Sequence, residues 1–242
     1  MRKIKVIIFM ISFLTISSIS NGKELRVGVG NFEPFFIKKT ESGVFFDLIN
    51  ETFKLLPQYN LKFIVTPNKA LNYWLENNHL DVACNILKKS SSNIYLSDKI
   101  FRYLDVAITL KKNRVVIDSI HDLNNKSIAT YQGATDFLGN DFKQMALSNK
   151  NYKEYANTSI TTNLLAMNRV EVRVGDVNIF IYQLSSPLLH GKVKEEDFKI
   201  HYLWPLIYSF IGFRDKNIRN EFNDALKKIK ANGTHIERVS TI

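Results

Sequence analysis

Between Leu25 and Ile86 the hydrophobic period switches from two to about 3.6 and back, twice. "ELRVGVG" alternates Leu25, Val27 and Val29 with Arg26 and Gly28, the pattern of a strand. From Asp47, placed to cap, Ile49, Phe53 and Leu56 fall on one helical face until Pro57 stops it. "LKFIVT" reads as a second strand. "KALNYWLENN" reads as a short helix with Leu71, Trp74 and Leu75 inward, and "LDVACNI" as a third strand, apolar enough throughout to be central. A β-α-β-α-β run of this kind predicts a parallel sheet with helices on its faces.

The pattern then restarts. "YLDVAITLKKN" is a strand and "KSIATYQG" another. "TDFLGNDFKQMAL" is a helix opening near Thr135 and interrupted at Gly139. "TTNLLAMNRV" (helix), "VEVRVGD" (strand), "NIFIYQL" (helix) and "YSFIGFRD" (strand) follow. In "NIRNEFNDALKKIKANG", Ile218, Phe222, Ala225, Leu226 and Ile229 share a face, and Gly233 is placed to cap the end. The expected fold class is therefore α/β: two lobes with mostly parallel sheets, joined by two crossover strands at about 105–110 and 207–213. The expected division is 23–110 for the first part of lobe I, 111–205 for lobe II, and 206–242 for the return to lobe I and its C-terminal helix. No repeat, low-complexity tract or long linker interrupts this order.

Ahead of it stands "MRKIKVIIFMISFLTISSIS". Arg2, Lys3 and Lys5 precede an apolar stretch from Val6 to about Thr15, and Ser17, Ser18 and Ser20 follow. Charged end, apolar centre and small residues are the order of a signal peptide, here 1–22, so a periplasmic location is expected. The apolar centre is short for a membrane span. The mature chain of about 220 residues suits one large domain or two of about half that size. Removing the three leader cations leaves 30 cations against 23 anions. They are scattered as on a lysine-rich surface, with no aromatic-interleaved basic stripe, so no nucleic-acid partner is expected. The single cysteine, Cys84, excludes an internal disulfide and sits in a buried strand pattern.

Enzyme signatures are poor. "GVGNFE" has Glu33 where a dinucleotide loop needs its third glycine, and there is no phosphate loop. His79, His121, His190, His201 and His235 show neither metal spacing nor a nucleophile elbow. No enzyme, cofactor or metal is expected.

In motif order the chain resembles the extracytoplasmic solute-binding proteins of the polar amino-acid transport family (family 3), which have the type II periplasmic binding fold. "LRVGVGNFEPF" is similar to the family's opening strand and aromatic-x-Pro-Phe turn. "GVFFDLINETF" resembles its Gly-Phe-Asp-x-Asp-Leu segment, with Asp47 at the second Asp and Phe45 in place of the first. "LDVACNI", "YLSDKIFRYLDVAITLKKN", "HDLNNKSIATYQGATDFL", "MNRVEVRVGD" and the C-terminal helix follow the family's order over some 200 residues. The resemblance implies a monomer whose two lobes close on a small polar solute, and an inner-membrane ABC permease as partner.

It also implies a set of ligand-binding residues, each with a plainer structural role beside it. Phe32 matches the family's stacking aromatic, a role favoured over a core position by the turn that Pro34 forces. Asn85 ends the third strand, as a ligand contact or as a strand cap. Gln132, Gly133, Ala134 and Thr135 form the second-lobe loop, where free amides at a helix start attract an anion. Asp176 matches the residue that pairs with a ligand ammonium and is also placed to cap the helix after it. Arg102 and Arg173 can each hold an anion in two-pronged fashion, but a surface position suits each better. In the family, the loop after the third strand carries Thr-x-x-Arg, whose arginine clamps the ligand carboxylate. Here "NILKKSSSNIYLSD" has Ser90 or Asn93 at that place, and Lys88 or Lys89 as the nearest cations. An ordinary α-amino acid, an amine, a modified amino acid or another small polar molecule all stay open. So do an enzyme on the same scaffold, similar to cyclohexadienyl dehydratases, and a ligand-sensing partner of a membrane receptor.

Overall fold

The structure, a computed structural model, describes residues 22–30, 33–37 and 39–231. The expected signal peptide apart from Gly22, the stacking residue Phe32, and Gly233 lie outside them. In chain order the first elements are β1 (Lys23–Val29), α1 (Val44–Lys54), β2 (Tyr59–Val65), α2 (Leu71–Glu76) and β3 (Val82–Ile86). Two short strands follow, β4 (Tyr95–Leu96) and β5 (Phe101–Tyr103), then β6 (Asp105–Leu110). The second series is β7 (Ile128–Tyr131), α3 (Ala134–Phe137), α4 (Asn140–Ser148), β8 (Tyr152–Tyr155), α5 (Thr158–Ala166), β9 (Val172–Asp176) and α6 (Val177–Leu184). β10 (Phe198–His201), β11 (Ile207–Phe213) and α7 (Lys216–Ala231) complete it.

Two mixed sheets result. The first runs β2-β1-β3-β11-β4, with β5 also on β11; the second runs β10-β6-β9-β7-β8. Parallel pairing is confined to β1 with β2 and β3, and to β7 with β8 and β9; the strands added beside them are antiparallel. The chain passes between sheets at Leu104 and returns through 202–206. The strand 105–110, read from sequence as the end of lobe I, is hydrogen-bonded into the second sheet between β10 and β9.

Alternation explains how β3 serves two cores. Val82 and Cys84 join Leu25, Ile49, Phe53 and Phe222 on one face, and Ala83 joins Leu71, Leu75 and Leu80 on the other; Asn85, with φ 61°, breaks the alternation, and Ile86 packs with this second cluster as well. In the second sheet Val106, Ile108 and Leu110 of β6 face Phe180 and Phe198, while Ala107 faces the cluster of Phe142 and Trp204. Burying side chains such as Phe222 and Leu226 of α7 contributes about 1.5–3 kcal/mol each. Burial also pushes the Cys84 thiol up, as befits a core residue.

Further sequence expectations change. Asp47 does not cap α1: the helix begins at Val44 after Gly43, and Asp47 sits in its first turn. The amides of Val44 and Phe45 donate to the carbonyls of Pro34 and Phe35 instead (3.2 and 3.0 Å). Gly43 has φ 119°, and a Cβ there would come within 2.7 Å of the Pro34 carbonyl oxygen, so only glycine fits this approach. β8 and β10 have no counterpart in the sequence reading. They are the edges of the second sheet, and "YKEY" and "FKIH" carry too few apolar residues to show a period.

Candidate functional site

The carboxyl ends of β3, β7 and β9 open onto one cavity of about 460 Å³ between the two sheets. That volume suits a small-molecule site. On the lobe I side its wall includes Thr66, Lys69, Asn72, Asn85 and Ile86. On the lobe II side it includes Tyr131, Gln132, Phe137, Arg173, Asp176 and Ile179. Tyr103 and Asp105, on either side of the first crossing, close the back.

Asn85 reaches the wall with φ 61° at the end of β3, and its Oδ1 accepts from the Tyr103 hydroxyl at 2.8 Å. Asp176 ends β9 and caps α6. Its Oδ1 accepts from the Ile179 amide and its Oδ2 from the Leu104 amide, both at 2.9 Å. One carboxylate thus fastens a helix start to the crossing between sheets. Burial raises Asp176 above its ordinary value, opposed by these amides and by Arg173.

Arg173 is buried, at 2 % exposure, which corrects the surface position suggested from sequence. It lies in the middle of β9, between β6 and β7, and its guanidinium carbon stands 5.3 Å from the centre of the Phe180 ring. Burial pulls it down to about 10, against the attraction of Asp176 and Asp105, so it stays charged at neutral pH.

Asp105 is the residue sequence reasoning missed. It faces Asp176 directly in the antiparallel pairing of β6 with β9. Like charges in register repel. Burial first, and then the Asp176 charge, push Asp105 up to about 7, opposed by the Tyr131 hydroxyl that donates to it at 3.1 Å and by Arg173. A lone acid inside the apolar run "VAITL" and its flanks was the signal available in the sequence.

The second-lobe loop is arranged differently from the expectation of free amides. Gln132 lines the cavity, whereas Gly133, Ala134 and Thr135 are not in its wall. The Gly133 amide donates to Glu154 at 2.7 Å, and the Thr135 amide and hydroxyl lie 3.5 and 3.4 Å from the same carboxylate. The Tyr152 hydroxyl also donates to Glu154, at 2.9 Å. Burial works to raise Glu154, and these donors hold it below its usual range. The anion at this helix start is the protein's own. Arg102 is exposed, flanked by buried Phe101 and Tyr103 on β5, and is not part of the cavity wall. Among the described residues no cluster of His, Cys, Asp and Glu could hold a metal, and no helix is long and apolar enough to cross a membrane.

Two mixed α/β sheets, each with a parallel core and a returning antiparallel strand, facing each other across a cleft, define the type II periplasmic binding fold. Solved structures share it. The ligand-binding core of GluR0 in complex with L-glutamate superposes with a TM-score of 0.71 at 15% identity, covering 91% of this chain and 98% of that one. A mutant ArgBP from T. maritima gives 0.70 at 20% identity, over 90% and 96%. An ABC uptake transporter substrate-binding protein from Streptococcus pneumoniae with bound histidine gives 0.67 at 16%, over 88% and 89%. No family model matches the chain, and neither does any curated protein.

Proposed function

We propose that this protein is an exported solute-binding protein. It captures a small polar solute between its lobes and presents the closed form to an inner-membrane ABC permease. The observation that carries this reading is the cavity itself, walled by the carboxyl ends of strands from both sheets and crossed behind by Tyr103 and Asp105. Ligands bind at this edge of open α/β sheets. A solute touching both walls favours the closed form by the contacts it makes only there. Asn85, Gln132, Asp176 and Arg173 are the expected residues that belong to this site; Phe32 keeps its proposed stacking role. The likeness to ArgBP and to the histidine-bound transporter protein supports a polar, amino-acid-sized solute. Selective binding to the native state raises the melting temperature. A broad solute screen on the mature protein, with mass spectrometry of whatever co-purifies, is expected to give one narrow class. A screen without any shift, and with nothing co-purifying, would remove the binding role.

Asp105 favours one second reading. A carboxyl held near neutrality inside a cavity has the properties of a general acid or base. An enzyme on this scaffold would turn over a dehydratase substrate such as prephenate, whereas a binding protein would leave it unchanged.

A further inference from the structure

We propose that the solute is a carboxylic acid and that its carboxylate seats on the Arg173 guanidinium, so the acid end enters lobe II. This rests on the solute-binding reading and adds the ligand's chemistry and orientation to it.

Arg173 is a buried charge with most of its hydrogen-bonding capacity unspent. Its one hydrogen bond runs from Nη1 to the Asp176 carbonyl at 3.3 Å, and its Nε has no partner. None of the ion pairs among the described residues includes it. A guanidinium carries five N–H donors in a fork that matches a carboxylate. Leaving such a group dry and unpaired is costly, and its position in the cavity wall gives a ligand access to it. Gly175 leaves room beside it: a Cβ at that position would lie 3.4 Å from Nη1 and 3.5 Å from Nη2.

The other polar groups of lobe II that would receive a ligand's charge are already occupied. The α3 amides hold Glu154, and the α6 start holds Asp176. Asp176, the group that would attract an amine, spends an oxygen on each of two backbone amides. Asp105 accepts from Tyr131, and its raised value leaves it partly protonated at neutral pH. The remaining charges in the wall, Lys69 and Lys88, are cations. Ile86, Phe137, Ile179 and Ile207 offer apolar surface for the body of the acid. On the lobe I wall Thr66 and Asn72 add polar residues near its far end.

The test offers the mature protein a panel of aliphatic, hydroxylated and aromatic skeletons, each as carboxylic acid, primary amide and primary amine. Calorimetry and thermal shift are the readouts. Acids are expected to bind, and their matched amides and amines to bind at least about tenfold more weakly. Arg173→Met, close in length and without charge, takes a favourable charge from Asp105 and Asp176, so the ligand-free variant is expected to melt lower than the wild type; acid binding, measured by calorimetry below that temperature, is expected to weaken on the order of a hundredfold. Arg173→Lys, which keeps charge but not the fork, should fall between. Amines or amides binding as well as acids would overturn the proposal while solute binding stands. So would acid binding by Arg173→Met within a few-fold of the wild type. If no compound of any class binds, both readings fall. The end-group comparison on the wild-type protein needs no variant to fold.

Discussion

Arg26 and Arg173 hold similar places, each inside a strand of the parallel half of its sheet, and they are treated in opposite ways. Arg26 is part-exposed and forms a two-pronged pair with Asp81, Nε and Nη2 each 2.9 Å from a carboxylate oxygen. Arg214 adds a second, longer contact to Asp81 at 3.5 Å. Arg173 is buried beside two carboxylates, with no ion pair and an unpartnered Nε. Lobe I satisfies its charges with one another at the surface. Lobe II has surface pairs too, such as Lys126 with Glu171, but it holds Arg173, Asp105 and Asp176 at the cleft and leaves that arginine with unused donors. The difference teaches that the buried charges of the cleft come from lobe II, although the loop of lobe I at 85–98 is where the resemblance first directs attention.

Removing the acid from each lobe sets the widest gap. Asp176→Ala strips two buried amides of their acceptor and removes the countercharge of Arg173, and should destabilise by about 3–5 kcal/mol in urea unfolding. Loss of less than about 1 kcal/mol would mean that lobe II is as tolerant as a surface pair.

Asp105 gives the next largest effect, with a signature in pH. Its folded value of about 7 lies above the 3.8 of an unfolded chain, so the native state holds a proton that the unfolded state has released between those values. The stability this residue contributes is fully present below about pH 4 and is lost as pH rises through about 7. Asp105→Asn should therefore match the wild type at pH 4 and exceed it by a few kcal/mol at pH 8. Parallel stability curves for the two proteins would remove Asp105 from the buried charge cluster.

Glu154→Gln keeps an acceptor but loses the charge that holds the Gly133 and Thr135 amides. It is expected to cost about 1 kcal/mol, which lowers the melting temperature of a chain this size by about 2–4 °C. The smallest effect belongs to lobe I. Asp81→Asn should cost at most about 1 kcal/mol at neutral pH, because the pair is open to solvent. Burial works to raise Asp81, but the hydrogen bonds from Arg26 hold it below its ordinary value. Its small contribution is therefore present at neutral pH and fades as pH falls through that depressed value. A larger cost at Asp81 than at Asp176 would reverse the contrast between the lobes.

The elements that position the site were legible because their signals are local. β1 shows its alternation and β3 its apolar run within a few residues, and α7 shows a full amphipathic face. The two edge strands of lobe II were not, since an edge buries too little to imprint a period. Of the candidate site, Asn85, Gln132, Arg173 and Asp176 were named from sequence and come together at one cavity. Arg102 was named and lies outside it, because strand alternation turns Phe101 and Tyr103 inward and the arginine out.

By itself the sequence determined two α/β units, a chain that leaves one and returns, and the absence of a clamping arginine from residues 85–98. All of these follow from residue type and short spacing. Only the tertiary structure decided which charges are spent. Glu154 reaches the Gly133 amide across 21 residues, and Asp176 reaches Leu104 across 72. The burial of Arg173 depends on strands on both sides of β9. Whether an ionic group is satisfied depends on neighbours that chain folding brings from far away, and no local period records them.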